Sequence, residues 1–192
     1  MRFFYRLRFI IFLVMLGSLF STSVQITQAD GLEDIGYPFG PCQTWYVFQG
    51  YNGFTHKNYY DPGSGEGLDN TYAFDLIIDD WWNTDGTAGA EIVAAASGTV
   101  TTYYGGVGHG WGVYIHLSDG NIIYNDHLMN LKVVNNQWVN KGEPIGDVYD
   151  GQPGGVNHIH FQVGTNPQSL PLTFGVWDYP TPGPVAPGGP PG

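Results

Sequence analysis

Positive charge is nearly missing from this chain: 6 Lys and Arg stand against 17 Asp and Glu, a formal net charge of −11 over 192 residues. Nucleic acid is bound chiefly through basic contacts to phosphates, so that class of partner is disfavoured and none is expected. Polyanionic surfaces repel such a chain as well, and it must reach any anionic partner without electrostatic steering. Cysteine is down to one residue, Cys42, which forms no intramolecular disulfide. An exported form therefore relies on its core, and a domain of this size is able to build one. Long hydrophobic runs are missing too. The apolar stretch Phe9–Phe20 falls short of the roughly 20 residues that cross a bilayer. No window sustains a helical period, and no segment repeats.

Several catalytic motifs are also absent. There is no His-Glu-x-x-His, which excludes helical zincin chemistry. There is no Gly-x-Ser-x-Gly elbow, and no serine stands out as a nucleophile. Cys42 lies in "GPCQTW", which has the outward look of a thiol-protease segment, but no neighbouring sequence supports that role.

What is present starts at the N-terminus. Arg2, Arg6 and Arg8 precede the apolar run and small polar residues follow it, the pattern of a secretory signal. Cleavage fits after Ser23 or after Ala29, with Ala29 favoured over both Ser23 and an uncleaved anchor. No cysteine closes the apolar run, which argues against a lipoprotein. Loss of residues 1–29 would leave Lys57, Lys132 and Lys141 against all 17 acidic residues. The expectation is a secreted or envelope protein, monomeric and without stable membrane insertion. Residues 179–192, "YPTPGPVAPGGPPG", form a Pro/Gly spacer that cannot build a core. Residues 30–178 are left as the folded domain.

That domain reads as strands. "TYAFDLII", "EIVAAASGTVTTYY", "GVYIHLSDGNIIYNDHL", "WVNKGEPIGDVY" and "HIHFQV" are short β-rich runs divided by Gly, Asn and Asp. "SDGN" at 118–121 suits a hairpin, because Asp-Gly accepts the positive φ of a tight turn. An all-β, mostly antiparallel sheet or sandwich with long Gly-rich loops follows.

Six histidines are spread along it: His56, His109, His116, His127, His158 and His160. In "NHIHFQV" the strand period puts His158 and His160 on one face and Ile159, Phe161 and Val163 on the other. Two imidazoles on one face are able to grip a metal, or to be ordinary sheet surface. Asp75 sits in "TYAFDLII" beside an apolar face of Tyr72, Phe74, Leu76 and Ile78. A carboxylate in such a strand is costly unless paired or bound to a cation. His127 closes "NIIYNDHL", near an acid and a tyrosine.

The ordered set "THKNYYDPGSGEGLDNTYAFDL", "EIVAAASGTV", "GWGVYIHLSDGNIIYNDHL", "VNKGEPIGDV" and "NHIHFQV" resembles the LytM/lysostaphin-type (β-lytic) zinc endopeptidases over roughly residues 50–165. The resemblance implies a duplicated-hybrid-motif-like β-fold, one Zn²⁺ per chain, and peptidoglycan peptides as substrate. It implies zinc ligands at His56, Asp75 and His160, and catalytic histidines at His127 and His158. It leaves His109 and His116 without a role, and does not say which of His127 and His158 is the base. The implied chemistry is attack by a metal-activated water, with the two histidines orienting or deprotonating it. Two features depart from the family pattern. Many relatives have the first His and the Asp as His-x-x-x-Asp, whereas 18 residues separate His56 from Asp75, which leaves Asp61 and Asp69 as rivals. "NHIH" also replaces the more usual small residue or Pro before the pair and Leu within it. A non-catalytic wall-binding or hydrolase-regulating module of the same fold is the alternative. A β-sandwich lectin leaves the ordered histidines unexplained.

Overall fold

The computed structural model describes residues 34–53, 55–56, 69–78, 86–152, 156–165 and 168–172. The signal segment, the Pro/Gly tail and Asp61 lie outside the described residues. Among these described residues ten strands follow in chain order: β1 (Tyr46–Gln49), β2 (Phe74–Ile77), β3 (Glu91–Val93), β4 (Gly98–Gly106), β5 (Gly110–His116), β6 (Ile122–Met129), β7 (Trp138–Val139), β8 (Pro144–Val148), β9 (Ile159–Thr165) and β10 (Gln168–Leu170). They pair antiparallel throughout, in the order β1-β2-β9-β6-β5-β4-β7. β10 adds to β9, while β8 pairs with both β3 and the end of β6. The sheet thus branches at Leu128–Met129. The all-β, mostly antiparallel expectation holds.

Alternation divides the sheet into two faces. Ile159, Phe161 and Val163 of β9 pack with Ile123 and Leu128 of β6 and Val113 and Ile115 of β5. Ile92, Ile145 and Val148 from the β3–β8 branch join the same core. The other face carries polar and aromatic groups: His160 and Gln162 of β9, Tyr124 and Asp126 of β6, Tyr114 of β5. A period of two thus places a dry core on one side and leaves chemistry for the other.

The "SDGN" hairpin forms as expected. Gly120 has φ +86°, Asp119 Oδ1 accepts the Asn121 N–H at 2.9 Å, and the Leu117 N–H reaches the Asn121 carbonyl at 2.9 Å. "EIVAAASGTVTTYY" differs from a single strand. Its Ala94–Ser97 segment leaves the ladder, because Ala94 donates to the Glu143 carbonyl and accepts from the Gly142 N–H instead. β3 and β4 can therefore serve different partners.

Candidate metal centre

One row of side chains crosses four strands. The register sets Gln49 of β1 opposite Asp75 of β2, Asp75 opposite His160 of β9, and His160 opposite Asp126 of β6. Directly opposed residues share a face, so the pairing itself brings Asp75 and His160 together across 85 residues of sequence. His56 arrives from the loop after β1.

His56, Asp75 and His160 are all buried, at 1%, 5% and 9% exposure. His56 Nε2 lies 3.1 Å and His160 Nδ1 3.0 Å from Asp75 Oδ1. The three ligand atoms fall within 4.8 Å of one another. Ligands held tetrahedrally about 2.0–2.1 Å from zinc sit about 3.3 Å apart, so these separations fit a shared ion.

Each group is also held from behind. A carbonyl only accepts, so His56 Nδ1, 3.0 Å from the Gly50 oxygen, carries the proton and leaves Nε2 facing Asp75. His160 Nε2 donates to Gln162 Oε1 at 3.3 Å. Gln49 Nε2 donates to Asp75 Oδ2 at 3.2 Å. Metal ligands characteristically have such outer partners, which fix tautomer and orientation. The donor set fits Zn²⁺ in number, type and support.

The two remaining site histidines stand beside this cluster. His158 Nε2 lies 3.5 Å from Asp75 Oδ1, and its Nδ1 donates to the Val156 carbonyl at 2.9 Å. His127 Nδ1 donates to the His109 carbonyl at 3.0 Å. The His127 and His158 rings meet edge to face with centroids 4.8 Å apart. In both, Nδ1 is spent on backbone, which leaves Nε2 as the nitrogen available to accept a proton. His127 sits where β6 slips against β5, with Trp111 opposite Leu128 but Val113 opposite Asn125. There it takes φ 65°, a costly conformation for a non-glycine residue that concentrates at functional sites.

The charges follow from this packing. Burial pushes the Asp75 carboxyl up, yet the His158 charge and hydrogen bonds from His160 and His56 outweigh it, holding the group well below the usual carboxylate range. Burial pushes His160 down, but the hydrogen bond and charge of Asp75, with Asp126 beyond, raise it to about 8. Burial first, then the neighbouring His158 and His160 charges, lowers His127 to about 3, so that imidazole is neutral.

The other sequence candidates fall elsewhere. Asp69 is occupied by Thr71, whose backbone N–H it accepts at 2.9 Å. His116 pairs with Thr101 at the exposed end of β5. Cys42 is a free, exposed thiol. His109 does contribute, through its carbonyl, while its exposed ring lies 6.0 Å from that of His127. Sequence reasoning missed Gln49 and Gln162. Gln162 was within reach, since the strand period puts it on the face of His158 and His160.

Residues 82–171 match the model of peptidase family M23. The matched stretch contains His127, His158 and His160, whereas His56 and Asp75 precede it. No curated protein sequence matches the chain. Among solved structures, the M23 metalloprotease pseudoalterin from the deep sea is similar at 18% identity and a TM-score of 0.52, over 72% of this chain and 74% of that one. A chain of the SpoIIQ–SpoIIIAH pore-forming complex is similar at 19% identity and a TM-score of 0.52, over 76% of this chain and 92% of its own. A zinc-containing peptidase from Vibrio cholerae matches at 17% identity and a TM-score of 0.50, over 71% of this chain and 38% of that one. At such identities the likeness is one of fold.

Proposed function

We propose that this chain, which belongs to the LytM/lysostaphin-type peptidases of family M23, is a secreted zinc endopeptidase hydrolysing peptide bonds in the stems or cross-bridges of bacterial peptidoglycan. The observation that carries the reading is the convergence of His56 Nε2 and His160 Nδ1 on one buried carboxylate oxygen of Asp75, with His127 and His158 alongside. In this reading His56, Asp75 and His160 hold the metal. When bound, zinc supplies the Lewis acidity that polarises a peptide carbonyl and acidifies a water.

The protein groups divide the remaining work. His127 is neutral and its Nδ1–H is committed to the His109 carbonyl. Its Nε2 therefore carries a lone pair with which to accept a hydrogen bond from an attacking water and orient it. His158 presents Nε2 beside Asp75, where its protonated form donates to the oxygen that gains charge as the peptide carbon becomes tetrahedral. Export rests on the N-terminal basic and apolar pattern, and the peptidoglycan substrate on the family.

A second reading, a non-catalytic module of the same fold, draws on the similarity to a chain of a pore-forming complex, since a fold does not carry one activity. Zinc content and cleavage of purified peptidoglycan separate the two. The enzyme binds one zinc per chain and releases peptide fragments, and His160→Ala loses both. A metal-free chain that binds peptidoglycan without cutting it supports the module.

A further inference from the structure

Gln49 belongs to no motif, yet its amide is fully engaged at the metal centre. Its Nε2 donates to Asp75 Oδ2 at 3.2 Å and to Thr55 Oγ1, and its Oε1 accepts the Thr55 backbone N–H at 3.2 Å. An amide offers two N–H donors and one carbonyl, and all are used.

A register shift delivers it there. Val47 pairs with Leu76, but Gln49 pairs with Asp75, so β1 carries one extra residue, Phe48, against β2. Such a bulge re-aims the next side chain, and bulges gather beside active sites. The chain then turns tightly. The Gly50 carbonyl accepts both the Gly53 N–H and His56 Nδ1, each at 3.0 Å. A Cβ on Gly53 would lie 2.4 Å from Gln49 Cγ, so glycine leaves room for the side chain to pass.

On the other side of His56, 18 residues intervene before Asp75. Among the described residues, His56 is held on its N-terminal side by the Gly50 carbonyl and the turn that Gln49 braces.

We propose that Gln49 is a positioning residue of the metal centre. It fixes the rotation of the Asp75 carboxylate through Oδ2, so that Oδ1 faces His56 and His160, and it ties the His56 turn to that carboxylate through Thr55. The inference rests on the zinc reading of the site.

The test is the zinc dissociation constant of the purified chain, measured by chelator competition, beside thermal unfolding of the metal-free protein. Gln49→Ala should weaken zinc binding about 10–100-fold, by more than the fall in metal-free stability that loss of its bonds to Asp75 and Thr55 causes, with turnover rising as zinc is brought to saturation. Thr55→Val, at an exposed position, should weaken it by a smaller, severalfold factor, and decides the matter if Gln49→Ala does not fold. Affinities within about two-fold of the unsubstituted chain overturn the proposal. So does a loss that tracks an equal fall in metal-free stability, which marks a purely structural role. If the unsubstituted chain binds no zinc, the metal reading and this inference fail together; if it binds zinc and the variants match it, only the inference fails.

Discussion

His160 Nδ1 lies 3.0 Å from Asp75 Oδ1 because β2 and β9 pair in a register that sets these two residues face to face. His158, two positions earlier, approaches the same oxygen at 3.5 Å from just outside the strand. The His-x-His pair therefore has two inequivalent members, and substitution should separate them. His160→Ala should lose the metal. His158→Ala should retain it while turnover falls about 10²–10⁴-fold, the range for a positioned proton-transfer group. Metal analysis beside a peptide-release assay checks both.

His127 should show a trade between stability and turnover. Its φ of 65° suits Asn better than His. His127→Asn should unfold at the same temperature or higher, yet lose about 10²–10⁴-fold in turnover. Thermal melts and kinetics on one preparation give the comparison.

Zinc uptake should depend on pH with a defined sign. His160 in the metal-free fold titrates at about 8, above the ordinary histidine value near 6.5. Its pairing with Asp75 therefore stabilises the metal-free protein fully below pH about 6.5, and that contribution is lost as pH rises through about 8. Zinc needs the neutral imidazole, so its apparent affinity should fall as pH drops below about 8, with a proton released on binding. Calorimetry in buffers of different ionisation enthalpy measures the proton, and melts of the metal-free chain at either end of the range test the stability arm.

Phe161 and His160 point to opposite faces of one strand, so their substitutions should fail in different ways. Phe161 is fully buried in the core, and Phe161→Ala should cost about 3–5 kcal/mol of folding stability. Urea unfolding measures the loss. The folded fraction should keep its zinc.

Much of this arrangement was legible in the sequence. Alternation in "NHIHFQV" put both histidines opposite Ile159 and Phe161, and a carboxylate inside "TYAFDLII" signalled a burial cost that pairing or a cation offsets. The Asp-Gly turn announced the β5–β6 hairpin. Pairing across the sheet was not legible. Nothing local to Gln49 reveals a bulge that sets it against Asp75, because register depends on both strands at once. The break at Ala94–Ser97 was hidden for a similar reason: Ala94, which reads as strand, bonds instead to Gly142 and Glu143, and the Ala95 carbonyl to Gly36. The contribution of His109 lies in its carbonyl, which any residue supplies, so side-chain chemistry gave no sign of it.

In the proposed function, His56, Asp75 and His160 hold a zinc ion on which hydrolysis depends. The most direct measurement is the release of new amino termini from purified peptidoglycan by the chain as isolated, after chelation, and after zinc is restored, with zinc content determined at each stage. The expected results are one zinc per chain, loss of release on chelation, recovery with zinc, and neither binding nor release in His160→Ala. Release that persists in the chelated chain or in His160→Ala would contradict that function.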